Sequence, residues 1–363
     1  MRLGRRGAAA LALSALVAAG AGVAAAVSRG DRFAPPADTG VLARRLLAVV
    51  PRAMREHHVP GAAVAVVRDG RVAWVRGFGV PADARFQVAS LSKPVSALGI
   101  VRLARTARFP LTDAVGWQPV ASSFDPRGIT LARLLSHTAG LSVEGYGGFA
   151  PGARPPTLTA SLAGDTGDAP PVELVRPPGS AFAYSGGGYT VAQLWAEEAS
   201  AAPFARLMRE TVLQPLGMTA SSFAQTDLPR DATPHDARGR PIPAYRYAEL
   251  AAAGLRATAP DMARFAAALM RGRDGAPPGR GVVPAATLAA MLRPAPATRG
   301  HWGLGFELDR LADGTRVVEH AGSSRGWRSR MVVLPDRGWG IVVLTDGDGG
   351  DAVADAAVRA LVG

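Results

Sequence analysis

The residues with the clearest potential for chemistry are Ser90 and Lys93, which stand at positions i and i+3. Lys93 is the one lysine among 41 basic residues, and every other basic residue is an arginine. A guanidinium stays protonated at ordinary pH, whereas an amine can accept a proton once burial or a nearby positive charge lowers its pKa. At a helix start the two side chains would share one face, where the helix N-terminus favours developing negative charge. The pair therefore predicts a nucleophilic serine activated by an amine.

Two further stretches could complete such a site. Tyr184 and Gly186 belong to a Tyr-Ser-Gly-Gly-Gly-Tyr stretch, and a tyrosine phenolate can move a proton if nearby cations lower its pKa. His320 begins a His-Ala-Gly-Ser stretch that also contains Gly322 and Ser323, and a histidine there could donate a hydrogen bond. Taken singly, each stretch fits a structural role at least as well.

In this order the three motifs resemble those of the serine β-lactamase and penicillin-binding superfamily, most closely its class C β-lactamase-like branch. That branch includes D-alanyl-D-alanine carboxypeptidases, D-aminopeptidases and esterases. The motifs are Ser-x-x-Lys at Ser90, a Tyr-x-Asn-type element at Tyr184 and Lys/His-x-Gly at His320. The similarity covers about residues 41–362 and includes three supporting stretches, residues 134–141, 215–218 and 303–306.

The resemblance implies a serine hydrolase that forms an acyl-enzyme. Ser90 would attack a carbonyl carbon, and Lys93 with Tyr184 would form the general base system that passes the proton to the leaving group. His320 would take the place usually held by lysine and support Tyr184 or the substrate. The backbone N–H groups of Ser90 and Ser323 would form the oxyanion hole. The resemblance implies no cofactor and no metal ion.

One position departs from the family pattern. The second motif commonly ends in an asparagine that hydrogen-bonds the amide of the substrate's acyl side chain, and here that position is Gly186. Without this contact an amide-bearing substrate leaves a polar group unpaired, which disfavours β-lactamase activity and favours an esterase or an unusual peptidase. Gly186 and Gly322 would still border the substrate. The alternative function is a non-hydrolytic penicillin- or muropeptide-binding sensor with the same fold.

The elements that must position these residues follow from hydrophobic periodicity. β-rich runs flank an Asp-Gly turn at residues 69–70 and recur between residues 303 and 345, whereas helical patterns fill the middle of the chain. We therefore predict an α+β fold, with one antiparallel β-sheet built from both chain ends, flanking helices, and a mostly helical insert at about residues 108–265. Residues 150–180, rich in Pro and Gly, are predicted to form a long irregular segment.

The N-terminal region predicts export. Residues 1–28 combine early arginines with an uncharged stretch rich in Ala, Leu and Val, which is typical of a signal peptide or an N-terminal membrane anchor. Residues 29–40 are interpreted as a linker and residues 41–363 as the hydrolase domain. We expect an extracytoplasmic bacterial protein, secreted or anchored to the membrane through this segment.

Composition limits the classes of partner. The absence of cysteine excludes disulfides, thiolate metal sites and a cysteine nucleophile. The net charge of +12 comes from scattered arginines without aromatic interleaving, so no nucleic-acid partner is expected. The expected partner is a small-molecule or peptidoglycan-type substrate, and the expected state is a monomer.

Other sequence features favour structural roles. A Gly-x-Ser-x-Gly stretch around Ser324 would suit an α/β-hydrolase, but no histidine follows it in the chain, so the required order fails. The aspartate-rich residues 346–351 lack the closing glutamate of a calcium loop and are predicted to form a solvated turn that caps the last helix. His137 is predicted to be a structural hydrogen bonder at a helix end.

Overall fold

The computed structural model describes residue 34 and residues 36–119, 122–228 and 230–363. The predicted signal peptide or anchor, residues 1–28, and part of the predicted linker lie outside the described residues. Within the described part, no helix has the length and apolar character needed to cross a membrane.

A six-stranded antiparallel sheet forms the centre of the fold. Its strands are β1 (Ala62–Arg68), β2 (Arg71–Phe78), β5 (Glu307–Arg310), β6 (Arg316–Ser324), β7 (Trp327–Leu334) and β8 (Trp339–Thr345). They lie in the order β2-β1-β8-β7-β6-β5. Because β1 pairs with β8, the sheet joins both ends of the chain, which confirms the predicted α+β architecture. The short strands β3 (Arg85–Gln87) and β4 (Arg256–Thr258) pair separately.

The helices account for most of the remaining regular structure. They are α1 (Thr39–Glu56), α2 (Ser92–Thr106), α3 (Leu131–Leu135), α4 (Leu158–Ala163), α5 (Gly186–Ser200), α6 (Phe204–Met208), α7 (Leu250–Ala253), α8 (Ala259–Ala268), α9 (Ala285–Met291) and α10 (Gly350–Val362). α4 interrupts the segment predicted to be irregular throughout. It forms because Thr157 accepts a hydrogen bond from the Ala160 N–H at its start and Gly164 ends it in the left-handed conformation.

The sheet separates two hydrophobic cores. Along β1, Ala63, Ala65 and Val67 pack on one face with residues of α2, α5 and α8. The alternate residues Ala62, Val64 and Val66 pack on the other face with α1 and α10. This alternation follows from the two-residue period of a strand, and it covers both faces of the central strands with helices.

The aspartate-rich residues before α10 form the predicted turn, in which the Gly350 N–H donates to the Gly347 carbonyl oxygen at 3.0 Å, but they do not cap the helix and are not fully solvated. Asp346 is buried, and its carboxylate accepts a hydrogen bond from the Gly61 N–H at 2.7 Å. Asp348 accepts one from the Gly326 N–H at 2.9 Å, and α10 begins after Gly349 without a side-chain cap. The prediction of a side-chain cap was wrong because these carboxylates connect the strand ends to one another instead of capping the helix.

Candidate active site

Ser90 lies in a 3₁₀ turn, Ala89–Leu91, immediately before α2. Ala89 has a φ of 47°, in the left-handed region that a side chain disfavours, and such strain is typical of functional turns. The hydroxyl of Ser92 donates to the Ala89 carbonyl at 2.6 Å and accepts from the Leu255 N–H at 2.9 Å. These two hydrogen bonds of Ser92 fix the turn, while Ser90 itself remains partly exposed.

Lys93 meets Ser90 one turn further along α2. Its Nζ lies 3.0 Å from the Ser90 Oγ and 2.9 Å from the carbonyl oxygen of Ala252 on α7. The side chain is only 2% exposed, and this burial lowers the pKa of Lys93 to about 7. A substantial fraction of the amine is thus neutral near pH 7 and can accept a proton from Ser90.

Tyr184 lies against the same pair. The Lys93 Nζ is 4.9 Å from the centre of the Tyr184 ring, and the Ser90 side chain lies close enough to the Tyr184 hydroxyl to affect its pKa. Burial raises the pKa of Tyr184, the interaction with the Ser90 side chain opposes this, and the charges of Glu307 and Glu144 add to the increase. The lowered pKa that the sequence interpretation required is therefore not found, and Tyr184 is set up as a neutral phenol.

An aromatic box holds Tyr184 in place. The His137 ring stacks on it, with 4.2 Å between the ring centres, and Trp302 meets it edge-on at 5.8 Å. The His137 Nδ1 accepts a hydrogen bond from the Ser185 N–H at 3.0 Å, so the ring is fixed next to the tyrosine. His137 is a hydrogen bonder after α3, as predicted, but it also supports a proposed catalytic side chain.

His320 is a neutral, buried imidazole at this site. Burial, with the charge of Lys93 as a smaller cause, lowers the pKa of His320 to about 3. Its Nδ1 lies 2.6 Å from the Ala321 carbonyl oxygen, which makes Nδ1 the protonated nitrogen. Among the described residues its Nε2 has no hydrogen-bond partner, so the predicted direct support of Tyr184 is not observed. Trp302 contacts both rings instead.

Gly322 allows β6 to approach the nucleophile turn. A Cβ at this position would collide with the Val88 carbonyl oxygen and would lie 3.0 Å from the Leu91 nitrogen. The hydroxyl of Ser329 on β7 donates to the same Val88 oxygen at 2.7 Å. The strand that carries His320 and Ser323 is thereby held beside Ser90. Gly186, the last of the sequence-predicted residues, is the first residue of α5, two positions after Tyr184.

Sequence reasoning missed two contributors to this site. Ala252 accepts a hydrogen bond from Lys93 through its backbone carbonyl oxygen. Every residue type has this group, so the sequence could not point to Ala252. Trp302 directly precedes the Gly-x-Gly-Phe stretch at residues 303–306, and this position offered the one available signal. Among the described residues, no group of His, Asp or Glu could hold a metal ion.

Comparison with known proteins identifies the family of this chain. Residues 46–363 match the model of the Beta-lactamase family. Esterase EstB of Burkholderia gladioli is 32% identical over an alignment of 232 residues, and the match covers 56% of this chain and 58% of that protein. Protein flp of Staphylococcus aureus is 26% identical over an alignment of 204 residues, and the match covers 53% of this chain and 40% of that protein. The matches thus span less than two thirds of these relatives.

Solved structures share the fold. The octameric penicillin-binding protein homologue from Pyrococcus abyssi superposes with a TM-score of 0.71 at 23% identity, over 87% of this chain and 76% of that one. The D-stereospecific amidohydrolase from Streptomyces sp. gives 0.69 at 23% identity, over 88% of this chain and 98% of that one. With the family match across residues 46–363, the chain belongs to the Beta-lactamase family.

Proposed function

We propose that this protein is a serine hydrolase that cleaves carboxylic esters through an acyl-enzyme on Ser90. The observation that carries the proposal is the 3.0 Å approach of a buried Lys93 amine to the Ser90 hydroxyl. Burial lowers the pKa of Lys93 to about 7, which makes it a base suited to neutral pH.

In the acylation step, the neutral Lys93 amine takes the proton of the Ser90 hydroxyl while Oγ attacks the ester carbonyl carbon. The backbone N–H groups of Ser90 and Ser323 are assigned to the oxyanion, a contribution worth about 3–4 kcal/mol per donor in comparable sites. When the bond to the leaving alcohol breaks, that oxygen receives a proton from the Tyr184 hydroxyl, which is replenished from Lys93. A raised pKa suits Tyr184 to this role, because the phenol keeps its proton until the alkoxide forms.

In the second step, water releases the acyl group. Lys93 again accepts a proton, now from the attacking water, and the Ser90 oxygen leaves with a proton from the same relay. The His320 Nε2, which has no partner among the residues that the structure describes, can accept a hydrogen bond from the substrate or from that water, since its low pKa keeps the imidazole neutral.

An ester is the proposed substrate because of Gly186. No side chain at this position can pair with an amide on the acyl group, whereas an ester without such an amide loses nothing. The relative named as esterase EstB supports the same preference.

Intact-mass spectrometry with a fluorophosphonate probe tests the nucleophile. The full chain should gain one probe mass, Ser90→Ala should gain none, and Ser324→Ala should label like the wild type because its Gly-x-Ser-x-Gly match lies on a strand end, not on a nucleophile elbow. Labelling that persists in Ser90→Ala would overturn the nucleophile assignment.

Turnover tests the substrate class. Hydrolysis of p-nitrophenyl butyrate should exceed that of a D-alanyl-D-alanine peptide and of a chromogenic cephalosporin. Fast cephalosporin hydrolysis with poor ester hydrolysis contradicts the ester proposal. A penicillin adduct on Ser90 that forms without turnover of any of the three substrates identifies a binding sensor instead.

A further inference from the structure

The start of α5 shows why position 186 is a glycine. The Gly186 N–H donates to the Glu144 carbonyl oxygen at 3.0 Å. A Cβ on Gly186 would lie 2.8 Å from that oxygen and 3.3 Å from the Tyr146 ring. Residues 142–146, here called the 142–146 segment, therefore occupy the space into which a side chain at position 186 would extend.

The 142–146 segment is held firmly against α5. The Gly187 N–H donates to the Val143 carbonyl oxygen at 2.9 Å, and the Tyr146 hydroxyl lies 2.7 Å from the Thr190 hydroxyl. A Cβ on Gly187 would also lie 2.7 Å from the Ser142 carbonyl oxygen. The segment thus forms a fixed wall at the start of α5, two residues after Tyr184.

Glu144 is the charged residue of this wall. Its side chain is exposed, and it forms no ion pair with another described residue, although the chain carries a net charge of +12. Its charge reaches the proposed catalytic groups, since it adds to burial and Glu307 in raising the pKa of Tyr184. An unpaired carboxylate at this place attracts positive charge.

We propose that Glu144 is a specificity-determining residue that selects ester substrates carrying a cationic group, such as a quaternary ammonium, close to the scissile carbonyl. The inference rests on the proposed ester hydrolysis at Ser90. It goes beyond that function, because the chemistry at Ser90 requires no charge on the substrate.

Two pairs of esters with matched shapes test the selection on the full chain. On the acyl side, p-nitrophenyl 4-(trimethylammonio)butyrate is compared with p-nitrophenyl 5,5-dimethylhexanoate. On the alcohol side, butyrylcholine is compared with 3,3-dimethylbutyl butyrate. In at least one pair the kcat/KM of the cationic ester should exceed that of its neutral partner by about 3- to 10-fold at low ionic strength, as expected for a solvent-exposed carboxylate. The ratio should fall in 0.5 M salt (~4 Å screening length).

Variants assign the preference to one carboxylate. Glu144→Gln should bring the ratio close to one, and Glu144→Lys should reverse it. Glu198→Gln is the matched control, because Glu198 is an exposed glutamate on the last turn of α5, about 18 Å from its first residue. That variant should keep the wild-type ratio.

The outcomes separate this inference from the proposed function. Hydrolysis of both members of each pair through Ser90, with equal kcat/KM and no change in Glu144→Gln, overturns the role of Glu144 and leaves the esterase intact. A preference for the cationic ester that persists in Glu144→Gln also overturns the role of Glu144 and leaves the esterase intact. Absence of Ser90-dependent hydrolysis of all four esters rejects the proposed function itself.

Discussion

Lys93 combines contact with the proposed nucleophile and burial, and its action as a base needs both. Because burial lowers the pKa of Lys93 to about 7, the neutral amine becomes the major form as the pH rises through that value. The kcat/KM for ester hydrolysis should therefore increase with pH and level off above about pH 8. A pH profile measured with p-nitrophenyl butyrate, corrected for spontaneous hydrolysis, checks this.

The variant Lys93→Arg tests whether Lys93 accepts the proton of Ser90. It keeps the positive charge but cannot accept a proton, so kcat/KM should fall by about 10²- to 10⁴-fold. Circular dichroism controls for the fold, and Lys93→Met provides an uncharged side chain of similar length. Turnover at the wild-type level in Lys93→Arg, with an unchanged pH profile, would show that Lys93 is not the base.

Gly186 and Gly188 lie in the same helical turn but in different surroundings. A Cβ on Gly186 would approach the Glu144 oxygen at 2.8 Å, whereas the nearest atoms to a Cβ on Gly188 are 3.7 Å away. Gly186→Ala should therefore lower the free energy of unfolding by about 1–3 kcal/mol. Gly188→Ala should raise it by about 0.4–1 kcal/mol, because alanine restricts the unfolded chain. Urea titrations measure both variants. Equal free energies of unfolding for Gly186→Ala and Gly188→Ala would show that the 142–146 segment moves aside without cost.

At the scale of strands, β5 and β6 place two carboxyl groups opposite each other. Glu307 pairs with Glu319 in the register, and burial raises the pKa of both groups. Arg330 on β7 lies 3.6 Å from Glu319 and also pairs with Asp355 on α10, while Asp309 adds negative charge nearby. The arginine thus offsets the effect of burial only in part.

This pair makes stability depend on pH. Because the folded-state pKa values lie above those of the unfolded chain, the stabilising contribution is complete below the usual carboxyl range and is lost as the pH rises through the folded-state values. The free energy of unfolding of the wild type, relative to Glu319→Gln, should fall by about 1–3 kcal/mol between pH 5 and pH 9. The comparison with Glu319→Gln is needed because the lowered pKa of Lys93 makes the free energy of unfolding rise with pH in both proteins, and subtraction removes this effect. A constant difference across this range contradicts the prediction.

Sequence-based predictions at this scale succeeded where the interacting residues are close together in the chain. The β1–β2 hairpin was predictable, because its Asp-Gly turn is determined by a few neighbouring residues. The pairing of Ser90 with Lys93 was local in the same way. The raised pKa of Tyr184 and the stacking of His137 on its ring were not predictable, because burial and contact there depend on segments far apart in the chain.

For the whole molecule, the decisive feature is that the two cores share the strands β1 and β8. α1 and α10 cover one face of the sheet, and the elements that carry Ser90 and Tyr184 cover the other. A defect under α1 therefore weakens the strands on which the proposed active site is built. The molecule should unfold as one cooperative unit, although the helical region is large.

Two adjacent leucines of α1 test this coupling. Leu46 is fully buried against the sheet and Leu47 is 46% exposed, so Leu46→Ala should cost about 2–5 kcal/mol and Leu47→Ala less than about 0.5 kcal/mol. In urea, Leu46→Ala should shift the midpoint of the circular dichroism transition and the midpoint for loss of fluorophosphonate labelling at Ser90 to the same lower concentration. If labelling outlasts the loss of secondary structure, or if only circular dichroism shifts, the two cores unfold separately. Coincident midpoints in both variants, with a shift in Leu46→Ala alone, are expected because α1 packs on the sheet that both cores share.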